Sequence, residues 1–246
     1  MALGFLASGD ANVYLLMGVP LTIAFQLWIA RRGVETLWVR DATGWRLDRR
    51  GIVLAALLAA APAYELTKSV AGRGSPVVVA WLSCSLVGAV AAAFAFRRFR
   101  RSTLRALLGC ALTAGVAGAA LMLAAALARP ASPQPALSTG VRSFLLYLPV
   151  TFVLEEVFFR GAIDAYVHRP ADPHRWMSAI LVSVLWGVWH LPIAPAKGVA
   201  TLASLVLIHT IVGVPLSLYW RSSGNLGVPA TVHALIDAMR NSVLAS

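Results

Sequence analysis

Long stretches of this chain, residues 52–64 and 107–128 among them, run almost without charge for lengths that suit a helix crossing a bilayer. Their apolar residues are clustered rather than spaced with the period of an amphipathic surface helix. With 59% of the 246 residues hydrophobic, 13% charged and a mean hydropathy of +0.76, a soluble enzyme is excluded. The fold class that follows is all-α: a polytopic transmembrane helix bundle of about eight spans.

Arginine-rich, glycine-rich and proline-rich breaks divide the chain into candidate spans at 12–30, 51–71, 77–96, 105–128, 143–165, 176–194, 199–220 and 225–244. The last is short and carries His233, Asp237 and Arg240, so a re-entrant course is an alternative there. The stretch 129–142 contains Pro130, Pro133 and Pro135 and reads as a linker. It separates front membrane helices (1–128) from rear helices (143–246) within one membrane domain.

The chain has 21 Lys and Arg against 10 Asp and Glu. In a soluble protein that excess would suggest nucleic acid. Here Arg31, Arg32, Arg40, Arg46, Arg49 and Arg50 fall in one loop and Arg97, Arg98, Arg100, Arg101 and Arg105 in another, and no nucleic-acid-binding motif is present. The excess therefore reads as topology and contact with anionic lipid, with both loops cytoplasmic. The termini and the loops at 129–142 and 195–198 are then expected on the far side, and the 166–175 loop inside. Cys84 and Cys110 lie in apolar segments without a CxxC partner, which supports neither a disulfide framework nor a thiolate metal site. No cleaved signal peptide is expected, because the first 12 residues lack Lys and Arg and no small-residue cleavage site follows the first apolar segment.

In the front half Glu65 and Lys68, three residues apart, read as a local ion pair with Lys68 snorkelling to the interface. The rear half is different. Residues 154–160 read Leu-Glu-Glu-Val-Phe-Phe-Arg, which puts two adjacent carboxylates where an ionised group is costly unless it is paired or watered. On a helix Glu156 and Arg160 share a face, whereas Glu155 projects about 100° away from Glu156 and needs a partner on another helix or a cavity. Candidate partners are Trp186 and His190 in one span and His233 and Asp237 in another, each pair at i,i+4. Counting about 1.5 Å per residue from the span ends places Glu155, His190 and His233 within roughly 10 Å of one another in depth. Two Glu, an Arg, two His and an Asp at matching depth make a functional site the expectation. His209, alone in its span, reads instead as hydrogen-bonded to a neighbouring backbone carbonyl, and His168 and His174 read as part of a solvated loop.

Glu155-Glu156-x-x-x-Arg160, Trp186-x-x-x-His190 and His233-x-x-x-Asp237 resemble the three ordered motifs of the CPBP family. That family comprises CAAX prenyl endoproteases of the Ras-converting type and bacterial relatives, including bacteriocin-processing and self-immunity proteins. The family's second motif usually begins with Phe where this chain has Trp186, and its third usually ends with Asn where this chain has Asp237. Asn can donate a hydrogen bond to an oxyanion and ionised Asp cannot, whereas Asp can orient His233.

The resemblance implies an intramembrane glutamic-type endopeptidase acting on a membrane-associated peptide or protein, CAAX-type lipidated tails included. Glu155 would be the general base and His190 would hold the water. His233 with Asp237 would stabilise the oxyanion, and Glu156, Arg160 and Trp186 would support them. Glu155, His190 and His233 could instead hold Zn²⁺ with an open fourth position. Without HExxH or Cys-rich spacing, the reading without a cofactor is preferred. A proton-coupled transporter and a non-catalytic immunity or scaffold protein are the rival classes, and the chain shows no second Glu-Glu segment of the kind an inverted repeat would supply. High Ala, Arg and Gly usage suits a GC-rich bacterium, where prenylated tails are not expected, so a membrane-associated peptide or small protein is the expected substrate and the bacterial inner membrane the expected location.

Overall fold

The computed structural model describes residues 11–127, 137–169, 175–194 and 196–244. It is 84% helical and contains no strand among those residues. We number the helices α1 (Val13–Ile29), α2 (Arg49–Ala71), α3 (Pro76–Phe96), α4 (Arg101–Leu127), α5 (Leu137–Val167), α6 (Arg175–Ile193), α7 (Val199–Ser223) and α8 (Gly227–Leu244). Among the described residues, helices α2 to α7 are the six long and apolar enough to cross a membrane. Helix α1 is shorter and turns π-helical at Phe25–Ile29.

Helix α8 is one continuous helix of 18 residues, about 27 Å at 1.5 Å per residue, and not a re-entrant hairpin. Helix α5 starts at Leu137, so the end of the proline-rich stretch is already helical, while residues 128–136 lie outside the described residues.

Local chemistry sets the helix ends. Asp48 caps α2 by accepting from the Gly51 N–H at 2.8 Å, and its carboxylate also binds Arg97. The Arg97 guanidinium, together with that N–H, holds the Asp48 carboxyl down at about 2. Ser75 caps α3, with Pro76 in the first turn. Gly224, at φ +62°, takes the left-handed conformation that ends α7.

One end of the bundle gathers the arginine-rich segments. Arg97 meets Asp48, Arg40 donates to the Arg221 carbonyl at 2.8 Å, and Arg32 donates to the Ala165 carbonyl at 3.2 Å. Asn225 donates to the Ala95 carbonyl at 2.8 Å, and Arg221 pairs with buried Asp164. Beneath this end Leu37, Phe94, Phe152, Trp220 and Leu226 are fully buried. His168 is half-buried beside that pair rather than on a solvated face, and His174 lies outside the described residues. Exposed Ile52, Val53 and Leu57 on α2 and Leu108 and Leu112 on α4 suit a surface solvated by lipid.

Small residues bring α6 and α7 together. A Cβ on Gly187 would stand 2.8 Å from the Leu205 carbonyl oxygen and from the Val206 Cα, both backbone atoms that yield only if the helices part. Gly187→Ala is therefore expected to cost about 1–3 kcal/mol through overpacking. Thermal unfolding of the purified protein checks this, and an unchanged melting temperature would contradict the close approach.

Candidate active site

Residues Phe152–Asp164 of α5 are π-helical. Pro149, just before them, cannot donate to the carbonyl of Leu145, and local π adjustment is one way a membrane helix re-satisfies such groups. This stretch carries Glu155, Glu156 and Arg160. The Glu156–Arg160 pair forms at 3.0 Å with both side chains fully buried. Arg160 also lies 4.2 Å from the centre of the Trp186 ring, a cation–π contact across to α6. Its Nε and Nη2 have no partner among the described residues.

Glu155 points another way. Its Oε2 accepts a 2.8 Å hydrogen bond from the Trp186 indole N–H. The Nε2 atoms of His190 and His233 stand 3.6 and 3.9 Å from the same oxygen. The Nδ1 of His190 donates to the Trp186 carbonyl at 2.9 Å, so in the neutral imidazole Nε2 is the free acceptor facing Glu155. His233 is fixed from the other side: its Nδ1–H donates to Glu156 Oε1 at 2.8 Å, leaving Nε2 directed at Glu155 and at Asp237 Oδ2, 3.5 Å away. Asp237 in turn pairs with Arg240 at 3.0 Å.

The expected residues Glu155, Glu156, Arg160, Trp186, His190, His233 and Asp237 thus come together on α5, α6 and α8. Glu155, Trp186, His190, His233 and Asp237 line a cavity of about 790 Å³, and the Glu156–Arg160 pair lies fully buried behind them.

His209 also lines that cavity, although its position in the sequence suggested only a backbone contact. The backbone bond is present, Nδ1 to the Leu205 carbonyl at 2.7 Å. The ring also sits 4.2 Å from the His190 ring and 4.5 Å from that of Trp186. Gly213 carried the missing signal. It lies four residues on, on the same helix face, and it is pressed against Ser183 and Arg160, which marks that face as the packed one.

Glu65 departs from the sequence reading. Its partner is Arg142 of α5 at 2.9 Å, while Lys68 lies over the Tyr64 ring. The longer reach of Arg142 from the neighbouring helix displaces the local pair. Glu65 too lines the cavity, at its outer part.

Among the described residues no three His, Cys, Asp or Glu side chains are grouped to hold a metal ion. Glu155 Oε2 is committed to the indole, and the Nδ1 of His233 to Glu156.

No curated protein and no solved structure matches the chain. Residues 136–239, which carry α5 through most of α8, match the family model described as type II CAAX prenyl endopeptidase Rce1-like. Three acid–base helices converging in one intramembrane cavity are what a protease of that kind requires, and these same helices are the part of the chain that is similar to the Rce1-like CAAX protease family.

Proposed function

We propose that the protein is an intramembrane endopeptidase of glutamic type that hydrolyses a membrane-associated peptide or protein. The observation that carries this reading is the position of Glu155: one carboxylate oxygen oriented by Trp186, beside two imidazole Nε2 atoms, on the wall of a cavity.

A water between Glu155 and His190 gives one proton to Glu155, while the free Nε2 of His190 accepts the other O–H and aims the oxygen. The oxygen attacks the peptide carbonyl, and the developing oxyanion takes a hydrogen bond from Nε2–H of His233, which acts as the imidazolium because its Nδ1–H is already given to Glu156. Glu156 receives the proton-bearing Nδ1 of His233 and so fixes the ring's orientation, as a carboxylate does in a catalytic triad. The C–N bond then breaks as protonated Glu155 returns its proton to the leaving amine. Asp237, held by Arg240, orients His233 before the oxyanion forms, and this role suits Asp where the family usually has Asn.

The test is cleavage of a quenched fluorescent library of lipidated and unlipidated peptides by the purified protein in lipid, with Glu155→Gln and an added chelator as parallel arms. Cleavage that survives chelator and is lost in Glu155→Gln supports the glutamic mechanism. Loss with chelator that added metal restores would replace it with a metallopeptidase. No cleavage by folded protein would favour the immunity, scaffold or transporter classes.

Trp186 is a positioning residue in this scheme. Phe can fill its space but cannot donate to Glu155. A hydrogen bond to a charged group is worth about 1.5–3 kcal/mol, so Trp186→Phe is expected to lower kcat about tenfold or more at unchanged KM. A rise in KM at constant kcat would instead assign Trp186 to substrate binding.

A further inference from the structure

The lining of the cavity reaches one end of the bundle. Its lining takes Leu15 from the start of α1, Ser75 and Val77 from the α2–α3 junction, Ile193 from the end of α6 and Arg240 from late in α8. All of these lie at the end opposite the arginine-rich segments. That other end joins the 31–50 and 97–105 segments to Ala165 and Arg221 through the contacts already described, Arg221 also donates to the Arg175 carbonyl, and none of those residues lines the cavity. The cavity end carries only Lys68, Arg73, Arg142, Lys197 and Arg240 as basic groups among the described residues. Short loops rich in Lys and Arg remain in the cytoplasm.

A second opening continues the same end sideways. An apolar groove of about 650 Å³ runs between α2 and α5, lined by Ala61, Tyr64, Val141 and Leu145. It shares Glu65 and Leu146 with the cavity, and the Glu65–Arg142 pair stands at the junction. Arg142 is 65% exposed there, whereas Glu65 is 20% exposed. An ion pair so placed can open at small cost.

We infer that the active-site cavity faces away from the cytoplasm, and that its substrate is a membrane-anchored polypeptide presented on that far side. The apolar anchor lies in the α2–α5 groove and the bond to be cleaved reaches Glu155 past the Glu65–Arg142 pair. The substrate half of this inference rests on the endopeptidase reading, whereas the orientation does not. A tail displayed in the cytoplasm has no route to this cavity.

Single cysteines introduced in a Cys84→Ser background test both halves, since Cys110 is fully buried. Ser75→Cys reports the cavity mouth, Val199→Cys the same face, and Ser102→Cys the arginine-rich face. With a membrane-impermeant maleimide on right-side-out spheroplasts, the first two are expected to label at once and Ser102→Cys only after permeabilisation. The reverse pattern overturns the orientation.

A membrane-tethered fluorogenic peptide is then added to spheroplasts and to inverted vesicles. It is expected to be cleaved by spheroplasts only, and Glu65→Ala is expected to alter KM for the tethered peptide more than for its untethered form. Cleavage by inverted vesicles alone, with labelling as expected, overturns the substrate side. Absence of cleavage in both preparations, with labelling as expected, counts against the endopeptidase reading and leaves the orientation standing.

Discussion

Glu155→Gln is expected to lose about 10²–10⁴-fold in kcat, the scale on which a positioned general base contributes. The amide keeps the shape of the carboxylate and still offers an oxygen to the Trp186 indole, so the arrangement of Trp186, His190 and His233 is preserved. What disappears is the group that removes the proton from water. Melting temperature should hold or rise, because Glu155 shares the neighbourhood of His233 with the carboxylates of Glu156 and Asp237 and its neutralisation relieves their repulsion. Single-turnover cleavage and thermal unfolding on the same preparation read both quantities. Activity within tenfold of wild type would remove Glu155 from the chemistry.

The second large effect concerns Glu156 and Arg160, a fully buried ion pair. Taking away one partner strands the other as an uncompensated charge, at about 3–5 kcal/mol. Glu156→Gln should therefore lower the melting temperature by on the order of 10 °C. Adding Arg160→Met removes the stranded charge, and the double variant should recover most of that loss. Activity should not return with it, because the Nδ1–H of His233 no longer meets a carboxylate. A double variant as unstable as Glu156→Gln alone would mean that Arg160 serves chiefly through its contact with the Trp186 ring.

The local pairs were legible before any fold was known: Glu156 with Arg160, Trp186 with His190, and His233 with Asp237 each follow from helical spacing within one span. That Glu155 must turn toward another helix was legible too, since nothing on its own helix could meet it. Which atom would meet it was not. The indole N–H of Trp186 and the bond from His233 to Glu156 depend on how α5, α6 and α8 are rotated against one another, and their crossing is set by packing that no single helix encodes. His209 and the Glu65–Arg142 pair escaped for the same reason. The π-helical course of Phe152–Asp164 also has no signature in residue spacing beyond the proline before it.

The sealed end of the bundle has an electrical consequence. Phe94, Phe152, Trp220 and Leu226 are fully buried beneath the Asp164–Arg221 pair and none of them lines the cavity, so the cavity does not continue through that layer. A vestibule wetted from one side offers ions no continuous path, and most of a transmembrane voltage falls across the dry half below it. The groups around Glu155 therefore sit close to the potential of the compartment at the mouth and exchange protons with that compartment alone, so turnover should follow its pH and ignore membrane polarisation.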